Sequence, residues 1–184
     1  MGLEEVAGRV KECRKCPLFR NRTQAVPGEG PEDARVLFIG EAPGREEDLS
    51  GKPFVGRAGK LLTELLEDAG LKRNRVFITS VIKCRPPDNR LPKRDETNAC
   101  YPYLKEQIRI LKPDIIVLLG NTAIKTVVGL NGITKLHGKV IIKEKENYLP
   151  MFHPAAGVRN RKLIPLMKED MEGLSRHLIK LGAC

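Results

Sequence analysis

Val36-Leu37-Phe38-Ile39-Gly40-Glu41-Ala42-Pro43-Gly44 runs four apolar residues into a turn bracketed by two glycines. The apolar run reads as a short buried strand that ends at Gly40. In the turn, backbone N–H groups can point at a ligand. The same turn serves an ordinary strand-to-loop connection equally well. It does not match G-x-G-x-x-G, which argues against a Rossmann-type dinucleotide site.

On either side of this stretch, apolar runs alternate with helical patterns. Residues 3–12 place Leu3, Val6 and Val10 at helical spacing, and 13–34 is irregular, rich in Gly, Pro and charge. Residues 59–69 carry Leu61, Leu62, Leu65 and Leu66, with Gly70 as C-cap. A second strand is expected at 76–82. A helix follows at 95–111 with Tyr101, Leu104, Ile108 and Leu111 facing inward. Ile115–Leu119 is a third strand, followed by Gly120-Asn121 and a short helix through Val128. Further strands are expected at 140–142 and 149–152. The last helix, 162–181, lines up Leu163, Met167, Met171, Leu174, Leu178 and Leu181. This alternation implies βαβ units, a mainly parallel sheet and helices on both faces, in one domain spanning 1–184. Ligands of such folds bind at the carboxyl ends of the strands. The unusual segments 40–44, 80–89, 120–121 and 153–156 each follow an expected strand, so the fold can gather them at one rim.

The 184 residues include 33 Lys and Arg against 23 Asp and Glu, a formal charge of +10 that favours a polyanionic partner. Hydrophobic residues at 41% and charged residues at 30% mark a folded chain. The longest apolar run, Ile115–Leu119, is far too short to span a membrane. The start, Met1-Gly2-Leu3-Glu4-Glu5, is acidic where a signal peptide is basic, so the expected location is the cytoplasm. Five cysteines there point to metal or cluster binding rather than disulfides. Cys13-x-x-Cys16, Cys84 and Cys100 can supply four thiolates to a zinc ion or an iron–sulfur cluster. The split spacing is not a common zinc-ribbon one, which favours a cluster over zinc; the lesser alternative is that Cys84 and Cys100 are ordinary buried thiols. Cys184 reads as a bystander in a frayed tail.

Three more features carry chemistry. His153-Pro154-Ala155-Ala156 puts an imidazole at a strand end, in extended backbone before Pro. Phe54, between Pro53 and Gly56, is a stacking platform for a base or a core plug under its loop. Basic clusters border these segments: Arg14, Lys15, Arg20 and Arg22; Lys83, Arg85, Arg90, Lys93 and Arg94; Arg159, Arg161 and Lys162. On one face they would bind phosphates with a steep salt dependence. Glu41 stands beside the strand end as a functional carboxylate, whereas Glu46, Glu47 and Asp48 read as a solvated loop.

Taken in order, these pieces resemble the family 4 uracil-DNA glycosylases, the iron–sulfur type of thermophilic archaea and bacteria. The resemblance covers nearly the whole chain. It rests on Cys13-x-x-Cys16, Val26-Pro27-Gly28-Glu29-Gly30, the 40–44 turn, Gly51-Lys52-Pro53-Phe54-Val55-Gly56, Lys83-Cys84-Arg85-Pro86-Pro87, Asn89-Arg90, Cys100 and His153-Pro-Ala-Ala156. It implies a three-layer α/β/α fold with a central four-stranded parallel sheet. It also implies a [4Fe–4S] cluster on Cys13, Cys16, Cys84 and Cys100 that organises the DNA-binding surface. The charged composition and only two glutamines fit a thermophile.

The implied activity is removal of uracil from single- or double-stranded DNA to start base excision repair. The implied protein is a monomer, with a sliding clamp or other repair proteins as possible partners. The base is flipped out of the duplex. Phe54 stacks on it and the backbone of Gly40, Ala42 and Pro43 holds its edge. His153 donates to uracil O2 as charge develops there. Glu41 positions water or stabilises the cationic sugar, with Glu47 the runner-up. Asn89 and Arg85 are candidates for DNA contact, and Val158 or Arg159 fills the vacated stack. Ser80 is the departure: most of the family has Asn there, whose amide pairs with both uracil N3–H and O4. A single hydroxyl implies a weaker or water-mediated reading of that edge. The alternatives are a glycosylase for hypoxanthine or xanthine and a non-catalytic nucleic-acid-binding module with a zinc or iron–sulfur site. A covalent uracil binder would need a His in 83–94, which has none.

Overall fold

Every residue of Val36–Gly40 (β1), Phe77–Ser80 (β2) and Ile115–Leu119 (β3) is buried, as strands covered on both faces must be. The computed structural model describes residues 2–182, so Cys184 lies outside the described residues. Two more strands, Ile141–Lys143 (β4) and Glu146–Met151 (β5), complete a sheet of order β2-β1-β3-β5-β4. β1 pairs in parallel with β2 and β3, and β3 with β5.

The four parallel strands are those the resemblance implies; the fifth is an addition. β4 runs antiparallel to β5 at the sheet edge. Its direction follows from the turn: Glu144 and Lys145 both take positive φ, 51° and 72°, the geometry of a two-residue hairpin.

Side chains alternate across the sheet and so build two cores. Leu37, Ile39, Ile116 and Leu118 pack with Val6 and Val10 of Leu3–Glu12 (α1), Leu104 and Ile108 of Arg94–Leu111 (α4), and Ile124 of Asn121–Val127 (α5). Val36, Phe38, Val117 and Leu119 pack with Leu62, Leu65 and Leu66 of Arg57–Asp68 (α3), and with Met167, Met171 and Leu174 of Ile164–Lys180 (α8). The result is three layers, α/β/α. Trimming one of these core leucines to Ala would cost about 2–5 kcal/mol.

Short helices fill the connections: Arg45–Ser50 (α2), Ile133–Leu136 (α6) and Pro154–Arg159 (α7). In α4 the inward tyrosine is Tyr103 and not Tyr101, which is half-buried. α4 turns Tyr103 toward the end of α1, where Lys15 Nζ sits 5.0 Å from its ring centre. In α8 the apolar stripe stops at Leu178; Leu181, expected on the same face, is exposed. The irregular residues 26–30 run beside β2, where Glu29 and Ile78 exchange backbone hydrogen bonds of 2.9 and 2.8 Å. No helix among the described residues is long and apolar enough to cross a membrane.

Candidate active site

Because β1, β2, β3 and β5 are parallel, their carboxyl ends share one rim. Gly40 aligns with Ser80, and Leu119 with Met151. A cleft of about 630 Å³ opens there. Its walls include Glu41, Ala42, Pro43, Gly44, Glu47, Phe54, Ser80, Asn89, Gly120, His153 and Arg159.

Phe54 forms one wall. It holds a left-handed backbone, φ 50°, which costs a side-chain-bearing residue on the order of 1–3 kcal/mol. Its ring lies against Gly40: a Cβ there would meet Phe54 Cζ at 2.6 Å, so the strand end must be glycine. The Phe54 ring centre is 5.5 Å from that of His153.

His153 caps the N-terminus of α7. The Ala155 N–H donates to His153 Nδ1 at 3.1 Å, leaving that nitrogen without a proton. The neutral ring therefore carries its proton on Nε2. Burial, reinforced by the Arg159 charge and opposed by Glu47, lowers the imidazole pKa to about 4. At neutral pH His153 is an uncharged N–H donor. Gly120, at φ 85°, lets the chain turn tightly beside it: a Cβ would sit 3.1 Å from His153 Cβ.

The two candidate carboxylates occupy different settings. Glu41 lines the cleft and accepts a hydrogen bond from the Thr122 hydroxyl. Glu47 accepts three backbone N–H bonds, from Gly44 at 3.1 Å, Val55 at 2.8 Å and Gly56 at 2.9 Å. It thereby ties the 40–44 turn to the Phe54 loop. Asp48 is buried and accepts from the Thr23 N–H at 2.9 Å. The solvated loop expected at 46–48 is thus α2, with only Glu46 exposed. Ionised carboxylates aimed at backbone N–H groups hold the segment inward.

Ser80 lines the cleft floor and is 6% exposed. Asn89, at φ 54°, accepts from Arg85 Nε at 2.8 Å, so these two side chains hold each other at the cleft edge. Arg159 lines the cleft, while Val158 is half-buried on α7 and does not.

Behind Ser80 lies a group that the sequence reading places among the phosphate-binding cations. Lys83 is 1% exposed. Its ammonium donates to the Ser80 carbonyl at 2.8 Å, to Gln107 Oε1 at 2.7 Å and to Thr79 Oγ1. Burial lowers its pKa to about 8, leaving it charged at neutral pH. The only sequence signal was its place three residues past a buried strand.

The cysteines meet elsewhere. Cys13, Cys16, Cys84 and Cys100 all line one cavity of about 10 Å³, walled otherwise by Val10, Phe19, Ala99 and Tyr103 and the lysines Lys15 and Lys83. All four are free thiols. Cys84 Sγ accepts from the Arg22 guanidinium at 3.1 Å and Cys100 Sγ from the Lys83 N–H at 3.3 Å. Burial pushes the Cys100 thiol up to about 11 and raises Cys84 and Cys16 as well. Among the described residues, no group of three or more His, Cys, Asp or Glu side chains is arranged to hold a single metal ion.

A family model described as the uracil DNA glycosylase superfamily matches residues 27–175. A type-4 uracil-DNA glycosylase of Sulfurisphaera tokodaii is 48% identical over 180 residues, covering 92% of this chain and 82% of that protein. One from Thermotoga maritima is 47% identical over 185 residues, covering 98% and 96%. One from Saccharolobus solfataricus is 44% identical over 186 residues, covering 96% and 86%.

Proposed function

The chain belongs to the uracil DNA glycosylase superfamily and sits with its type-4 members, and from that premise we propose how its cleft excises uracil from DNA. The observation that carries the mechanism is the neutral His153, fixed by Ala155 so that Nε2–H is the donor. Cleavage of the N-glycosidic bond leaves electrons on the departing base and positive charge on the sugar. A fixed N–H aimed at uracil O2 stabilises that anion, by roughly 3–4 kcal/mol for a well-placed donor. A neutral donor suits the task because it needs no proton exchange with solvent.

The other residues position the base and its sugar. Phe54 offers its face to the ring, and the backbone of residues 40–43 holds the edge. Glu41 orients water or offsets the cationic sugar. Glu47 braces the two loops, its oxygens already engaged by three backbone donors. Ser80 reads the far edge with one hydroxyl, so selection against cytosine is weaker than an amide would give. In this reading a Ser80→Asn change speeds uracil excision or narrows base choice, and an unchanged rate and selectivity would count against it.

The cysteine cavity suits a [4Fe–4S] cluster on Cys13, Cys16, Cys84 and Cys100. Its lining supplies four sulfurs and no carboxylate or imidazole, the donor set such clusters take. When bound, the cluster supplies a covalent tie between the end of α1, the exit of β2 and α4, beside the basic residues Arg14, Lys15 and Arg22.

The test is an excision assay on end-labelled duplexes carrying one U·G, U·A or T·G pair, with alkali to reveal abasic sites. Cleavage at uracil and not thymine, lost in His153→Ala, is the expected result. Intact uracil DNA in the presence of bound, iron-loaded protein would overturn the proposal.

A further inference from the structure

Glu41 and Thr122 follow neighbouring parallel strands. β1 ends at Gly40 and β3 at Leu119, with Ile39 paired to Leu118, so the residues just past both strands meet at the rim. The backbone is anchored on each side. The Ile82 N–H donates to the Glu41 carbonyl at 3.2 Å, and the Val81 N–H to that of Gly40 at 2.9 Å. Opposite, the Gly120 N–H donates to the Met151 carbonyl at 2.8 Å. Asn121 Oδ1 accepts from the Gly132 and Ile133 N–H groups at 3.2 and 3.0 Å. Ala123 and Ile124, next along α5, are fully buried. Between these fixed ends the Thr122 hydroxyl donates to Glu41 Oε2. Both side chains are half-buried, and both line the cleft with His153.

Glu47 spends its two oxygens on three backbone N–H groups. Glu41 does not: among the described residues, the Thr122 hydroxyl is the one donor to its carboxylate, which leaves Oε1 open to the cleft. The last torsion of a glutamate is soft, and a carboxylate that swings is a poor holder of water and a poor fixed charge. A hydroxyl steadies it without neutralising it, as a lysine or arginine in the same place would. Resting on the glycosylase reading above, we infer that Thr122 is a positioning residue for excision: by holding Oε2 it aims Oε1 of Glu41 at the sugar or at the water beside it.

The experiment is a double-mutant cycle on the iron-loaded protein. Wild type, Thr122→Val, Thr122→Ser, Glu41→Gln and the combined Thr122→Val, Glu41→Gln variant are compared in single-turnover excision of uracil from a U·G duplex. Thr122→Val keeps the side-chain shape and removes the donor. It should lower the rate at saturating enzyme about tenfold and leave the half-saturating concentration within about twofold of wild type. Thr122→Ser, which keeps the hydroxyl, should recover most of the rate. With Glu41→Gln already in place, Thr122→Val should cost little more, because the group it positions has lost its charge. Urea unfolding of each variant accompanies the rates, and Thr122→Ala replaces Thr122→Val in the cycle if the latter does not fold. A wild-type rate for Thr122→Val overturns the inference. So does an equal fractional loss with and without Glu41→Gln, which would mean that the hydroxyl serves the fold and not the carboxylate. Wild type inactive on uracil would instead overturn the glycosylase reading, and this inference with it.

Discussion

The cleft at the strand ends holds about 630 Å³ and mixes carboxylates, an imidazole and an aromatic ring, whereas the space among the four cysteines holds about 10 Å³ and is walled by sulfur and carbon together with two lysines. The first is assembled from four strand ends that are far apart in sequence and met only because the strands are parallel. The second joins the end of α1, the exit of β2 and α4. The segment after β2 serves both. Within it, the Lys83 N–H reaches Cys100 Sγ while its ammonium reaches the Ser80 carbonyl at the cleft floor. An open polar cleft is built to admit and release a ligand, and a tight sulfur-lined space to keep one. On the proposed reading the first does the chemistry and the second, with a cluster bound, ties the elements together.

Breaking the cysteine side should give the largest change. Cys84→Ala with Cys100→Ala should abolish iron binding and lower unfolding stability by about 4 kcal/mol or more, the range reached when a structural metal site is lost. Iron analysis and urea titration read both effects.

The shared segment comes next. Lys83→Met keeps the stem but deletes the donor of three buried hydrogen bonds. It should cost about 1–3 kcal/mol in stability. It should also raise KM more than it lowers kcat, because the Ser80 end of β2 loses its anchor. Equal stability in urea would show that Lys83 is no strut.

On the cleft side, Glu47→Gln retains an acceptor toward the Phe54 loop but loses the charge-assisted component. A loss of about 1 kcal/mol is expected, with a higher KM. If Glu47→Gln instead removed the rate while leaving KM and stability intact, Glu47 rather than Glu41 would be the working carboxylate.

The last test is a titration of the cleft's imidazole. The unfolded chain takes up the imidazole proton near pH 6.5 and the folded one only near about 4. Protons therefore favour the unfolded state in that window: the stabilisation is complete above about pH 6.5 and is lost as pH falls toward 4. NMR of the His153 ring should give a midpoint near 4. A midpoint near 6.5 would mean that the ring is solvated and free of the Ala155 bond.

The strand ends were legible because continuous apolar runs such as 36–39 and Ile115–Leu119 mark buried parallel strands, and the turn residues after them stand out. The four cysteines and His153 were legible as residue types of narrow use. What escaped depended on where backbone donors point. Glu47 and Asp48 look like solvated charge until Gly44, Val55, Gly56 and Thr23 present their N–H groups. Lys83 counts as a phosphate-binding cation until Thr79, Ser80 and Gln107 surround it. Tyr103 and Tyr101 differ only by which side of α4 meets α1. The antiparallel course of β4 hangs on two positive φ angles at Glu144 and Lys145, residues with no strong preference for them.

The most direct test measures two quantities on one preparation of His153→Ala: iron content and single-turnover excision of uracil from a U·G duplex. If the cleft does the chemistry and the cysteines only hold the surface in place, iron should match wild type while excision falls about 10²–10³-fold. Excision at the wild-type rate with iron intact would remove His153 from the reaction and contradict the account.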